Sequence, residues 1–169
     1  SNLKMMGARM QHVVKEVKVP AGTTHLLISG ADGFFETVSV DMINSDPSIM
    51  FVYAWNGQPL PERNGFPLRS HISDLYGMKQ PKWITRIALT ADSAPGYWVA
   101  RGWDAKAEVK TTSVIDTVAV KSLVTRDGQT FVPIGGIAYL GAKGISKVEI
   151  KIDGGPWQPA GLRQPLSGL

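Results

Sequence analysis

The chain has 169 residues, 43% of them hydrophobic and 19% charged, which describes a folded globular protein of one large or two small domains rather than a disordered tail. Its net charge of +4 carries no run of like charges of the kind that marks a nucleic-acid arm, so small anions suit it better as partners than DNA. It contains no cysteine, which excludes disulfides, thiolate metal sites and a catalytic thiol within this chain, and its three histidines lie far apart without metal-ligand spacing.

The opening Ser1-Asn2 lacks a signal-peptide pattern and reads as a cloning remnant, and the ending PLSGL follows a strand-like segment without a natural stop; both fit a cut piece. No stretch of about 18 apolar residues is present to cross a membrane as a helix. Leu3, Met6, Met10, Val14 and Val17 recur at three- and four-residue steps, which predicts one amphipathic helix closed by Pro20 and Gly22. HLLISG and FETVSV read as strands, followed by a short helix at MINS capped by Asp41. Asp32 and Gly33 make a turn between the two strands.

IMFVYAWNGQPL is a hairpin signal, because Asn56-Gly57 suits a type I′ turn in which both central residues take positive φ. KWITRIALT is the next strand, then an aromatic segment in which Trp98 and Trp103 flank a strand and pack. AKAEVKTTSVIDT has the polar composition of a connector. From Val118 onward about four strands are expected, split by Asp127-Gly128, Gly144 and Asp153-Gly154, with Val148, Ile150 and Ile152 alternating against charges on a half-wet sheet. Four strands are fewer than the roughly seven of an Ig-like sandwich, so an apolar face is left that something must cover.

No phosphate loop, nucleophile elbow or carboxylate pair stands out. The loop from Gly65 to Trp83 carries the most backbone constraint, with Gly65 and Pro67 at its entry, Gly77 within it and Pro81 before the next strand. Lys79 and Lys82 bring positive charge beside Gln80, whose amide can donate to an oxyanion. A well-packed connector with solvated lysines is the plainer reading of the same residues.

The stretch FVYAWNGQPLPERNGFPLRSHISDLYGMKQPKWITRIAL resembles the sulfite oxidase family of molybdopterin oxidoreductases, and GGIAYLGAKGISKVEIKIDGGPWQPAGL resembles the start of that family's Ig-like dimerisation domain. The resemblance implies an α+β fold, with residues 1–112 as the C-terminal part of a mixed α/β cofactor domain and residues 113–169 as the first half of an Ig-like β-sandwich. It implies a molybdenum–molybdopterin cofactor in the parent protein and oxygen-atom transfer to or from a small oxyanion or oxide. The family's molybdenum-binding cysteine and its pterin-anchoring His and Arg lie upstream of the part matched. A pocket arginine of the dimerisation domain lies beyond Leu169. No cofactor, and no activity, is therefore expected of this chain alone.

By the same resemblance Gln80 takes a pocket-facing variable position and Lys79 and Lys82 take basic positions. Phe34, or Phe35 in a slipped register, stands where sulfite-oxidising members place a tyrosine over the metal. Phenylalanine has no hydroxyl to donate or to pass a proton, which puts sulfite in doubt as the substrate. Asn64 replaces the histidine usual before Gly-Phe-Pro. GYWVARGWDAKAEVKTTSVIDT looks like a bacterial, often membrane-anchored branch, which places the parent outside the cytoplasm. The expected partners are a small oxyanion or oxide and a second copy of the chain through its C-terminal β region, with no nucleic acid. The competing expectation is a non-catalytic β-rich interaction or dimerisation module.

Overall fold

The computed structural model describes residues 3–163, so the Ser1-Asn2 opening and the PLSGL ending lie outside the described residues. The fold is a small α+β arrangement dominated by strands, in two compact units that divide between Glu108 and Val109. Among the described residues no helix is long and apolar enough to cross a membrane.

The first unit begins differently from its amphipathic pattern. Residues Met5–Arg9 form strand β1, and only Met10–Glu16 form helix α1. Strand β1 pairs antiparallel with β4 (Met50–Trp55), with a bulge between Met6 and Gly7. Gly7 explains the change: a Cβ there would overlap the Phe51 carbonyl oxygen and lie 2.8 Å from its carbon. The glycine that weakens a helix here lets two backbones meet. Met10 and Val14, which the helical spacing places together, are buried on α1.

Strand β2 (His25–Gly30) runs between β3 (Phe35–Ser39) and β7 (Ile84–Thr90), antiparallel to both. Its alternation buries Leu26 and Ile28. Asp32 serves the expected turn, accepting the Phe34 N–H at 3.1 Å, with Gly33 at φ 80°. Helix α2 (Val40–Ser45) follows β3, but Ser39 is its N-cap, accepting from the Met42 N–H; Asp41 sits one step on, in the first turn. The serine ends β3 in extended geometry, which is what a cap requires.

The Asn56-Gly57 hairpin forms as predicted, with φ of 49° and 78°, and joins β4 to β5 (Gln58–Pro59). Strand β6 (Arg69–His71) pairs with the other end of β4. Met10, Val14, Leu26, Ile28, Val38, Ile43, Ile49, Phe51, Ile72 and Ile84 make one core under these sheets. The aromatic segment is not a strand: Val99–Arg101 is a 3-10 turn, and Trp98 and Trp103 pack on each other with ring centroids 4.9 Å apart.

Among the described residues the second unit holds three two-stranded sheets. Strand β8 (Thr112–Val118) pairs with β11 (Ile134–Tyr139), β9 (Val124–Arg126) with β10 (Gln129–Phe131), and β12 (Glu149–Lys151) with β13 (Trp157–Pro159). The expected connector thus contains β8, since the β-branched run Thr112 to Val118 suits a strand despite its polar members. Strand β12 ends at Lys151, so Ile152 lies outside it and is exposed, while Val148 and Ile150 are half-buried. Among the described residues of this unit no apolar residue larger than glycine is buried, and Val114, Ile115, Val118, Ile137 and Trp157 are all more than half exposed.

Candidate functional site

The loop from Gly65 to Trp83 is held at several points along its length. Gly65 takes φ 110°, where a side chain would be strained, and a Cβ there would meet Arg69 Cβ at 2.9 Å and Lys82 Cβ at 3.0 Å. The Phe66–Pro67 peptide is cis. Ser70 donates both its N–H, at 2.9 Å, and its hydroxyl, at 3.2 Å, to the Pro81 carbonyl, which ties the two arms of the loop together. Gly77 has open space around it and opens a 3-10 turn, Gly77–Lys79, without needing positive φ.

The four side chains singled out from the sequence go to different places. Gln80 Nε2 donates to the carbonyls of Ile72 (3.1 Å) and Leu75 (2.8 Å), so both amide hydrogens are committed to the loop's own backbone. A further hydrogen bond with Gln80 favours the charged form of His71, but burial outweighs it and holds the imidazole below its ordinary range. Lys82 Nζ lies 4.1 Å from the centre of the Trp83 ring and donates to the Arg63 carbonyl at 3.2 Å. The Trp83 indole N–H in turn donates to the Glu62 carbonyl at 2.6 Å. Phe34 packs near Tyr97, with ring centroids 6.3 Å apart.

Lys79 turns inward. Its ammonium lies 2.9 Å from Glu36 Oε1, with side-chain exposures of 12% for the lysine and 0% for the glutamate. Both line a cleft of about 460 Å³ together with His25, Thr37, Ile72, Leu75, Ala94, Pro95, Lys106 and Glu108. Gln80, Lys82 and Phe34 are not among its lining residues. Glu36 is the residue that reading the chain for motifs passes over. The signal was present, because the alternation of β3 puts Glu36 on the same inward face as Val38, where an apolar residue is expected.

The side-chain stems of Arg69 and Lys82 come together over Gly65, while their cationic ends donate to the adjoining Asn64 and Arg63 carbonyls. Two cations at this bend fit an anionic group such as a cofactor phosphate by charge, although both already serve the loop's own backbone. Burial lowers the Arg69 pKa from its ordinary value, and its Nη1 donates to the Asn64 carbonyl at 3.1 Å. A metal has no comparable set: the chain has no thiolate to offer, and among the described residues no three His, Asp or Glu side chains converge.

Residues 1–98 match the family model of the oxidoreductase molybdopterin binding domain. Mitochondrial sulfite oxidase of Homo sapiens is 28% identical over 187 residues, covering 96% of this chain and 34% of the enzyme. The oxidoreductase YuiH of Bacillus subtilis is 29% identical over 97 residues, or 57% of this chain and 48% of that protein. The sulfane dehydrogenase SoxCD of Paracoccus pantotrophus has the same fold, with a TM-score of 0.73 at 17% identity over 94% of this chain and 43% of that one. The chain therefore spans between a quarter and a half of the length of these curated relatives and of the sulfite oxidase of Macaca fascicularis. With more than half its length matched by that model, the chain belongs to the oxidoreductase molybdopterin-binding family, as a sulfite-oxidase-type member.

Proposed function

We propose that the chain is part of a molybdenum-cofactor oxidoreductase that transfers an oxygen atom to or from a small oxyanion or oxide. The observation that carries this reading is the family match over residues 1–98. The cationic ends of Arg69 and Lys82, held on the adjoining Asn64 and Arg63 carbonyls, support it as a place for an anionic part of the cofactor. The cofactor, when bound, supplies the redox chemistry. The chain's own contribution is positional: Arg69 and Lys82 offer charge, Gln80 braces the loop, and Lys79 presents an ammonium to the cleft.

In this reading residues 1–112 complete a cofactor domain, residues 113–169 open an Ig-like dimerisation domain, and the metal-binding thiolate comes from polypeptide outside this chain. Lys79, Lys82, Gln80 and Phe34 are proposed from the resemblance as lining of the substrate pocket, and of these four the cleft beside Glu36 holds Lys79 alone. Phe34 argues against sulfite, because its ring offers neither a proton nor a hydrogen bond. The test is turnover by the parent enzyme against a panel of sulfite, nitrate, sulfoxides and N-oxides with a one-electron dye. Reduction of an oxide with little sulfite oxidation supports the reading, and fast sulfite oxidation removes the argument from Phe34.

A second reading is favoured by one observation, the apolar surface of the second unit. Val114, Ile115, Val118 and Ile137 are exposed where a folded domain buries such residues. That surface suits association with a second copy of the chain, and in the non-catalytic alternative the association is the whole function.

A further inference from the structure

We infer that Glu36 is a positioning residue shared by two walls of the cleft, the Gly77–Lys79 turn and the strap formed by residues 93–98, so that the Lys79 ammonium and the strap are set by one carboxylate. The inference uses the reading above only in taking Lys79 as pocket lining; the coupling itself is independent of substrate.

The geometry begins with the edge of β3. The Gly30 N–H donates to the Phe34 carbonyl at 2.8 Å and the Val40 N–H to the Thr24 carbonyl at 2.9 Å, bracketing the β2–β3 pair. Counting inward by twos, Glu36 and Val38 turn their backbone groups to β2, whereas Phe35, Thr37 and Ser39 turn theirs to the open edge. Among the described residues no strand continues the sheet there, because the order is β3-β2-β7. The Thr37 N–H instead donates to Glu36 Oε1 at 3.1 Å, and the Thr37 hydroxyl donates to the Ala94 carbonyl at 3.2 Å. A side-chain carboxylate and the strap together close an edge that would otherwise template another strand.

The same carboxylate reaches both walls. Oε1 accepts from Lys79 Nζ at 2.9 Å, which fixes the end of the turn. Oε2 is buried with no hydrogen-bond partner and lies against Gly96 of the strap. A Cβ at position 96 would overlap Oε2 and sit 2.6 Å from Cδ and 2.7 Å from Oε1. Gly96 is not among the positive-φ residues, so what the position demands is room and not an unusual backbone. Any side chain there displaces the carboxylate and, through it, Lys79. This is a contiguous physical link between segments distant in sequence.

The test uses amide hydrogen exchange and denaturant unfolding of the full chain, neither of which needs cofactor or turnover, so its failure is distinct from failure of the functional reading. Gly96→Ala is expected to speed exchange by about tenfold or more both within 93–98 and at 77–80. Glu36→Ala removes the obstacle, so adding Gly96→Ala to it is expected to be neutral or stabilising, reversing the sign seen in the native background. Glu36→Gln keeps the shape without the charge, and is expected to shift the Lys79 ammonium nitrogen signal while the strap stays protected. An equal loss from Gly96→Ala in both backgrounds overturns the inference. So does an exchange change confined to 93–98, or a Lys79 signal unmoved by Glu36→Gln.

Discussion

The side-chain amide of Gln80 donates to the Leu75 carbonyl at 2.8 Å, closing the loop upon itself. Its second hydrogen goes to Ile72. A glutamine read from the sequence as free to meet an oxyanion is, in the fold, a brace for the turn that follows Ile72.

Gln80→Ala is accordingly expected to lower stability by about 1–3 kcal/mol, the usual cost of leaving carbonyls without their donor. A surface glutamine would cost within about 0.5 kcal/mol. Urea unfolding of the chain distinguishes the two, and an unchanged midpoint means the brace is dispensable.

Lys79→Met should be more costly. It leaves the fully buried Glu36 carboxylate without its counter-ion, and breaking one side of a buried pair costs about 3–5 kcal/mol. Replacing both members, Glu36→Leu with Lys79→Met, should recover much of the loss, because an apolar pair of similar volume needs no compensation. A double variant no more stable than Lys79→Met alone would contradict this.

His71 gives the fold a pH dependence of known sign. Burial, the largest influence, pulls its pKa below the ordinary value of 6.5, against the opposing hydrogen bond to Gln80. The unfolded chain therefore binds the proton more readily than the folded one. The stability that follows is fully present above pH 6.5 and is lost as pH falls through the lower pKa of the folded state. His71→Asn should flatten that part of a stability-against-pH curve. An unchanged slope assigns the dependence to other groups.

Gly7→Ala is predicted to disrupt the β1–β4 pairing, because the methyl group would meet the Phe51 carbonyl. Overpacking of this kind costs about 1–3 kcal/mol, and more where the obstacle is backbone. Thermal unfolding reads it directly, and a tolerated substitution would mean that β1 has lifted from β4.

These cases show what the sequence made legible. The Asn56-Gly57 turn, the strand at HLLISG and the constraint on the loop from Gly65 were readable, since each depends on residues adjacent in the chain. The fate of Met5–Arg9 was not, because helical spacing and a strand held by Gly7 against Phe51 look alike until the partner strand is known. Likewise Lys79 was visible as a charge but not as half of a pair. Its partner lies 43 residues earlier, inside a strand whose alternation marks Glu36 only as a misfit.

The proposal to be tested first is that this chain is part of a molybdenum enzyme whose metal is held by polypeptide outside it. Molybdenum analysis of proteins purified from a cofactor-competent host tests this most directly, with the parent protein and the isolated chain side by side. The account predicts near-stoichiometric molybdenum in the parent and none in the chain. Molybdenum absent from the parent, or near-stoichiometric in the isolated chain, would contradict it.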